Sequence, residues 1–148
     1  MLFRSQPIEA PTEDADTTAG VLRRSWLFSQ VDPAQVESLA PRVRWIRFGP
    51  GETIVREGDE GTALFQVVRG SVEVFKNDGT TQGRAVTKLD SDEIFGEMSF
   101  FTGSSRSATV RSRGETVLLE VHRGDLLPIL ESDPSLLEQL SLIVATRR

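Results

Sequence analysis

Residues 95–110 read FGEMSFFTGSSRSATV and bring a glycine, a carboxylate and an arginine together at Gly96, Glu97 and Arg106. A backbone that must approach an anion closely favours glycine, because no Cβ intervenes. Arg106 offers a planar fork of N–H donors that can hold two phosphate oxygens at once. Glu97 can accept a hydroxyl, so the set suits a small phosphorylated ribose. A carboxylate beside an anion is costly unless a hydroxyl occupies it, which makes Glu97 a poor purely structural choice.

The elements that must position these residues come from the patterning around them. Gly96 falls where a strand leads into a short helical turn. After Pro41 the apolar period shifts toward two, with Val43, Trp45 and Arg47 on one side. Turn residues then interrupt about every 8–12 positions. The spacing predicts strands near 42–48, 53–56, 63–69, 71–77, 84–89, 94–95, 107–113 and 115–121, with Asn77-Asp78-Gly79 at a hairpin tip. That makes a mainly β fold, an eight-stranded β-roll or jelly roll with flanking helices. Leu22, Trp26 and Leu27 recur at helical spacings from Val21 onward. Asp32-Pro33-Ala34-Gln35 has the form of a helix cap and start, with Val36, Leu39 and Ala40 as the apolar side. Asp125 to Glu131 reads as one short C-terminal helix. Asp133-Pro134 starts a second, carrying Leu136, Leu137, Leu140, Ile143 and Val144. Residues 7–20, PIEAPTEDADTTAG, lack large apolar side chains beyond Ile8 and read as a mobile linker. The expected organisation is a linker or the tail of an upstream domain over 1–20 and one domain over 21–148.

Composition narrows the function classes. The chain of 148 residues contains no Cys and one His, which excludes a disulfide framework, thiol catalysis and cysteine-ligated zinc. His122 therefore reads as structural or exposed. No apolar run approaches the roughly 18 residues of a membrane span, and the N-terminus lacks the apolar core of a signal peptide, so the covered chain is expected to be soluble; the absence of Cys suits a reducing cytoplasm, free or at the cytoplasmic face of a membrane protein. A net charge of −5 gives no general attraction to nucleic acid, so anion binding must come from local cations and dipoles. No Walker loop, catalytic serine constellation or paired acid set is present, and binding without turnover is the expectation.

The stretch FGEMSFFTGSSRSATV resembles the phosphate-binding cassette of cyclic nucleotide-binding domains. The upstream run GPGETIVREGDEGTALFQVVRGSVEVF is similar to that family's glycine-punctuated first half, and the resemblance covers about 21–148. It implies that Gly96 gives a backbone N–H to a cyclic phosphate and that Glu97 binds the ribose 2′-hydroxyl. It also implies that Arg106 pairs with the phosphate and that Ser107 adds a backbone N–H and a hydroxyl. Phe95, Met98, Ser99 and Ala108 complete the cassette. Gly51, Gly58, Gly61 and Gly70 match the family's structural turns, where positive φ is expected. Ser105 stands where many members carry Pro and Ser99 where many carry Ala, a change of loop stiffness rather than of chemistry.

Phe95, Met98, Phe100 and Phe101 read as core packing rather than base stacking. Val72, Val74 and Val86 lie on strands that can line a purine pocket or simply fill the core. By the same resemblance the last helix closes over the purine, with Arg147 as the lid residue, although terminal arginines also suit a helix C-terminus through its dipole. Arg123-Gly124-Asp125 spells an adhesion tripeptide but falls at a strand-to-helix turn, where turn chemistry accounts for it. The expected ligand is cAMP, with cGMP as the alternative, and no other cofactor. The expected output is movement of the C-terminal helix that controls a larger protein such as a bacterial ion channel, with oligomerisation through that attached part. The alternatives are the sensor half of a catabolite-activator-type transcription factor and a relative that has lost the nucleotide. The residues end at Arg148 without a recognition helix, which weighs against direct DNA binding by this chain.

Overall fold

The computed structural model describes residues 6–9, 17–76 and 84–146. Two antiparallel sheets face each other, with helices packed on the outer face of one. The strands are β1 (Gln6–Ile8), β2 (Arg44–Phe48), β3 (Thr53–Val55), β4 (Leu64–Arg69), β5 (Val72–Lys76), β6 (Arg84–Leu89), β7 (Ile94–Phe95), β8 (Thr109–Ser112) and β9 (Thr116–Val121). The first sheet runs β1-β2-β9-β4-β7 and the second β3-β8-β5-β6. The mainly β roll with flanking helices is therefore the observed fold, and each of the eight expected strands appears within two residues of its predicted bounds.

The ninth strand corrects the sequence reading. Gln6–Ile8 falls largely in the stretch read as a linker, yet it pairs antiparallel with β2, Pro7 opposite Ile46. Its residues are exposed and it lies at the sheet edge, where proline is tolerated because no ladder bond to its missing N–H is required. The helix expected from Val21 likewise begins earlier and ends sooner. Helix α1 spans Thr18–Leu22, with the Thr17 hydroxyl accepting from the Gly20 amide. Ser25 then turns the chain: its Oγ donates to the Leu22 carbonyl at 2.9 Å and accepts the Phe28 amide at 3.2 Å. Trp26 and Leu27 therefore follow the helix instead of extending it.

Elsewhere the local signals act as read. Asp32 caps α2 (Pro33–Leu39) by accepting the Ala34 amide at 2.9 Å, with Pro33 at the first helical position. Asp133 does the same for α5 (Pro134–Thr146) through the Leu136 amide at 3.2 Å. Helix α4 spans Arg123–Glu131, and α3, inside the β region, spans Glu97–Thr102. Gly51, Gly58 and Gly70 adopt φ of 73°, 89° and 88°, and Gly61 lies at 156°. The hairpin tip at 77–79 lies outside the described residues, although Lys76 pairs with Arg84 across the gap.

Two apolar clusters hold these layers. Ile46, Phe48, Phe65, Val67, Val72, Phe95, Val110 and Leu118 fill the space between the sheets. Leu22, Leu27, Phe28, Leu39, Trp45, Leu64, Ile94, Phe100, Leu119, Leu126, Leu130 and Leu140 fill the space between the first sheet and the helices. β9 serves both, because alternate residues point to opposite faces: Leu118 enters the first cluster and Val117, Leu119 and Val121 the second. The helix-facing cluster includes Phe100 of α3, so the loop region between β7 and β8 is anchored to the helical layer.

Candidate functional site

The β7–β8 connection carries the residues singled out by the sequence. Gly96 follows β7 with φ 85° and caps α3. This left-handed conformation costs an L-residue roughly 1–2 kcal/mol, and space forbids a side chain as well. A Cβ there would stand 2.8 Å from Arg106 Nη1 and 2.9 Å from the Ala63 carbonyl oxygen. The short helix that follows ends at Gly103, whose φ of 74° releases the chain toward Arg106.

The loop preceding β4 holds Arg106 by its backbone. The Arg106 amide donates to the Asp59 carbonyl and its carbonyl accepts the Gly58 amide, each at 2.8 Å. The side chain turns inward and is only 7% exposed. Its guanidinium lies over the Phe65 ring, 5.9 Å from the centroid, and Phe65 in turn stacks on Phe95 at 5.1 Å. Nη1 reaches the Gly96 carbonyl at 3.5 Å, long for a hydrogen bond. Gly61 lets the guanidinium settle, since a Cβ there would stand 3.1 Å from Nη2. Among the described residues no carboxylate lies within ion-pair distance of Arg106. Burial pushes the guanidinium below the ordinary arginine range, with the more distant Glu120 carboxylate opposing the shift. It remains a cation at neutral pH. A buried cation with donors directed past a glycine is an anion receptor by its chemistry.

A cavity of about 520 Å³ opens in front of this group. Phe95, Gly96, Glu97, Met98, Ser99, Arg106, Ser107 and Ala108 all line it, so eight of the expected site residues share one wall. Ser99 and Ala108 are buried, Glu97 and Met98 half-buried, and Ser107 exposed. The Glu97 carboxylate has its Oε2 shut off from solvent. The opposite wall is apolar: Val55, Val74, Leu89 and Val110, with Lys76 and Thr87 at the rim. The volume and the mostly apolar lining with a few convergent polar groups are those of a small-molecule pocket.

The remaining expectations divide. Phe100 is fully buried in the helix-facing core and Phe101 packs beside it, away from the cavity. Phe95 belongs to the inter-sheet core and also lines the cavity, as does the half-buried Met98. Val74 lines the cavity, whereas Val72 is buried between the sheets. The Val86 side chain and Arg147 lie outside the described residues. His122 is exposed, with Nε2 3.6 Å from Glu120, and occupies the N-cap position of α4 without a side-chain capping hydrogen bond. Phe65, Lys76 and Thr87 were not foreseen. Lys76 was open to detection, because alternation places it on the same face as Val74. Phe65 had no local signal, since its place under Arg106 depends on pairing with Phe95 across β4 and β7. Among the described residues no group of three or more potential metal ligands occurs, and no helix is long and apolar enough to cross a membrane.

Comparison with known proteins gives this geometry its family. Residues 45–133 match the model of the cyclic nucleotide-binding domain. The chain is 30% identical over 126 residues to the cyclic AMP receptor protein of Thermus thermophilus, covering 85% of this chain and 58% of that protein. It is 32% identical over 119 residues to a cyclic nucleotide-gated cation channel protein of Drosophila melanogaster, covering 76% of this chain and 17% of that protein. Among solved structures, the regulatory domain of Toxoplasma gondii PKA with cAMP superposes with a TM-score of 0.73 at 26% identity, over 82% of this chain and 46% of that one. The chain thus spans little more than half of the bacterial regulators it matches and far less of the channel protein. Fold, matched segment and relatives agree: the chain belongs to the cyclic nucleotide-binding domain family.

Proposed function

We propose that this domain binds a cyclic purine nucleotide, cAMP in preference to cGMP, and passes the occupancy of its cavity to an attached effector through its C-terminal helices. The observation that carries the reading is Arg106: a buried guanidinium facing a cavity of about 520 Å³, with no carboxylate of the described residues within ion-pair distance. A cyclic phosphate brings one negative charge, which matches one guanidinium. In this reading Arg106 neutralises the phosphate, and Gly96 and Ser107 supply backbone N–H groups. Glu97 takes the ribose hydroxyl, while Phe95, Met98, Ser99 and Ala108 shape the wall. The purine lies toward Val74 and Leu89, and Arg147 closes over it. The expected unit of residues 21–148 is extended in this reading by the start of α1 from Thr17 and by β1 at the edge of the first sheet.

The preference for cAMP draws on relatives whose names or bound ligand specify it: a cyclic AMP receptor protein and a regulatory domain with cAMP. The effector is a larger cytoplasmic or membrane-attached protein, with a bacterial ion channel as the first reading. A transcription regulator is the second reading, because 86% of the chain aligns with a CRP-like cAMP-activated global transcriptional regulator of Mycobacterium tuberculosis. Binding requires no chemical turnover; a ligand shifts the helices only by its different affinity for their two arrangements.

Competition against a fluorescent cyclic nucleotide tests the chemistry. cAMP is expected to displace the probe at the lowest concentration, cGMP at higher concentration. 5′-AMP, which lacks the phosphate ring and carries more charge, is expected to be at least about tenfold weaker, a difference of roughly 1.4 kcal/mol. Equal displacement by 5′-AMP and cAMP would refute a site shaped for the cyclic phosphate.

A further inference from the structure

One transverse row of the first sheet leads from a surface charge to the cavity. Arg44 of β2 stands opposite Glu120 of β9, Glu120 opposite Phe65 of β4, and Phe65 opposite Phe95 of β7. Residues directly opposite on neighbouring strands share a face, here the one turned to the second sheet, where Phe65 and Phe95 are buried. The Arg106 guanidinium lies over the Phe65 ring of this row. Glu120 is therefore the neighbour of the ring on which Arg106 rests, on the side away from Phe95.

Glu120 is also mostly covered. Its side chain is 16% exposed and meets Arg44 Nη1 at 3.2 Å and, from just beyond the end of β9, His122 Nε2 at 3.6 Å. It shares a second cavity, of about 380 Å³, with Phe65 and Arg106. Arg106 thus borders two openings, the larger one past Gly96 and this smaller one, whose other charged lining residues are Arg56, Asp59 and Glu60. Glu120 lies beyond ion-pair distance of Arg106, yet its charge favours the cationic form of the guanidinium. In a partly buried site a charge acts over several ångströms without contact.

We propose that Glu120 is a positioning residue: the resident counter-charge of Arg106, which draws the guanidinium toward the smaller cavity and holds the affinity of the larger one for an anion below what Arg106 alone would give. The inference rests on the nucleotide reading above and deepens it. The ligand phosphate and the Glu120 carboxylate compete for one cation from the two openings it borders, so weakening the second strengthens the first. A direct ion pair would occupy the guanidinium, whereas a carboxylate beyond hydrogen-bond reach leaves its N–H donors free for a ligand.

Calorimetric titration of the full chain with cAMP tests this in the wild type, Glu120→Gln, Glu120→Asp and Glu115→Gln. Glu120→Gln keeps the shape and an acceptor for Arg44, and is expected to bind cAMP about three to ten times more tightly. Glu120→Asp, which keeps the charge but withdraws it by one methylene, should lie between that variant and the wild type. Glu115→Gln is the charge control. Glu115 pairs with Arg47 at 3.1 Å just before the opposite end of β9, and its variant should stay within about twofold of the wild type. Unchanged or weaker binding by Glu120→Gln would overturn the proposal, as would equal tightening by Glu115→Gln. Should Glu120→Gln fail to fold, Glu120→Asp decides, and binding no tighter than the wild type overturns it.

Urea unfolding of the nucleotide-free protein separates the two readings. Arg106→Met, Glu120→Gln and the double variant complete a cycle in which the Arg44 contact changes alike in both backgrounds. Glu120→Gln should lower the unfolding midpoint at least about twice as much with Arg106 present as in the Arg106→Met background. Equal lowering overturns the counter-charge. Unequal lowering in a protein that does not bind cAMP refutes the nucleotide reading and leaves the counter-charge supported.

Discussion

Arg106→Met is expected to weaken cyclic nucleotide binding at least about 100-fold while leaving the nucleotide-free protein as stable as before or more so. Losing one member of a buried, hydrogen-bonded charge pair typically costs about 2–5 kcal/mol of binding, and about 2.8 kcal/mol corresponds to 100-fold. The stability half of the expectation follows from the unliganded surroundings. The guanidinium is 7% exposed, meets no ion-pairing carboxylate among the described residues, and has its charged form disfavoured by burial. A methionine keeps the stem over Phe65 and Gly61 and removes the desolvated charge. Titration calorimetry and urea unfolding, run on the same preparation, check the two halves together. A variant that binds like the wild type removes Arg106 from the phosphate role. A variant that loses both affinity and several kcal/mol of stability makes Arg106 a structural residue.

Gly96→Ala should cost both binding and stability, in contrast to Arg106→Met. Its φ of 85° is strained for any L-residue, and the added methyl would press on Arg106 Nη1 at 2.8 Å and on the Ala63 carbonyl at 2.9 Å. The guanidinium can swing, but the β4 approach is backbone and yields less readily. The expected loss is about 1–3 kcal/mol in unfolding free energy, with binding at least about tenfold weaker through displacement of Arg106. Unfolding midpoints and nucleotide titrations measure these directly, and an alanine variant indistinguishable from the wild type in both would contradict the described approach.

The local geometry of residues 95–110 was legible because its requirements are local. A glycine at a left-handed cap, an acid in the first turn and an arginine ten residues on are all written within residues 95–110, and the structure places them around one cavity. The Asp32-Pro33 and Asp133-Pro134 helix starts were legible for the same reason, since capping needs only neighbours. What the sequence concealed depends on distant pairing. Gln6–Ile8 has no strand signature of its own and gains its place from β2, where Pro7 finds Ile46 in register. Leu22, Trp26 and Leu27 satisfy a helical period, but the Ser25 side chain competes for the backbone groups and ends the helix at Leu22. Phe65 reaches Arg106 only through the register of β4 with β7. Val72 and Val74 share a face, and only depth along the strand decides that one fills the core and the other lines the cavity.

The apolar side of α5 bears on the proposed output. Leu140 and Val144 are buried, whereas Leu142 is 62% and Ile143 37% exposed, so this helix is only partly committed to the core. On the proposed reading the C-terminal pair is the element that responds to the cavity at modest cost, as low-stability segments in switches do.

Calorimetric titration of the full chain with cAMP tests the central claim most directly. The geometry around Arg106, Gly96 and Glu97 predicts saturable binding of one cAMP per chain with a dissociation constant in roughly the micromolar range, about −8 kcal/mol. No binding up to millimolar cAMP would contradict it.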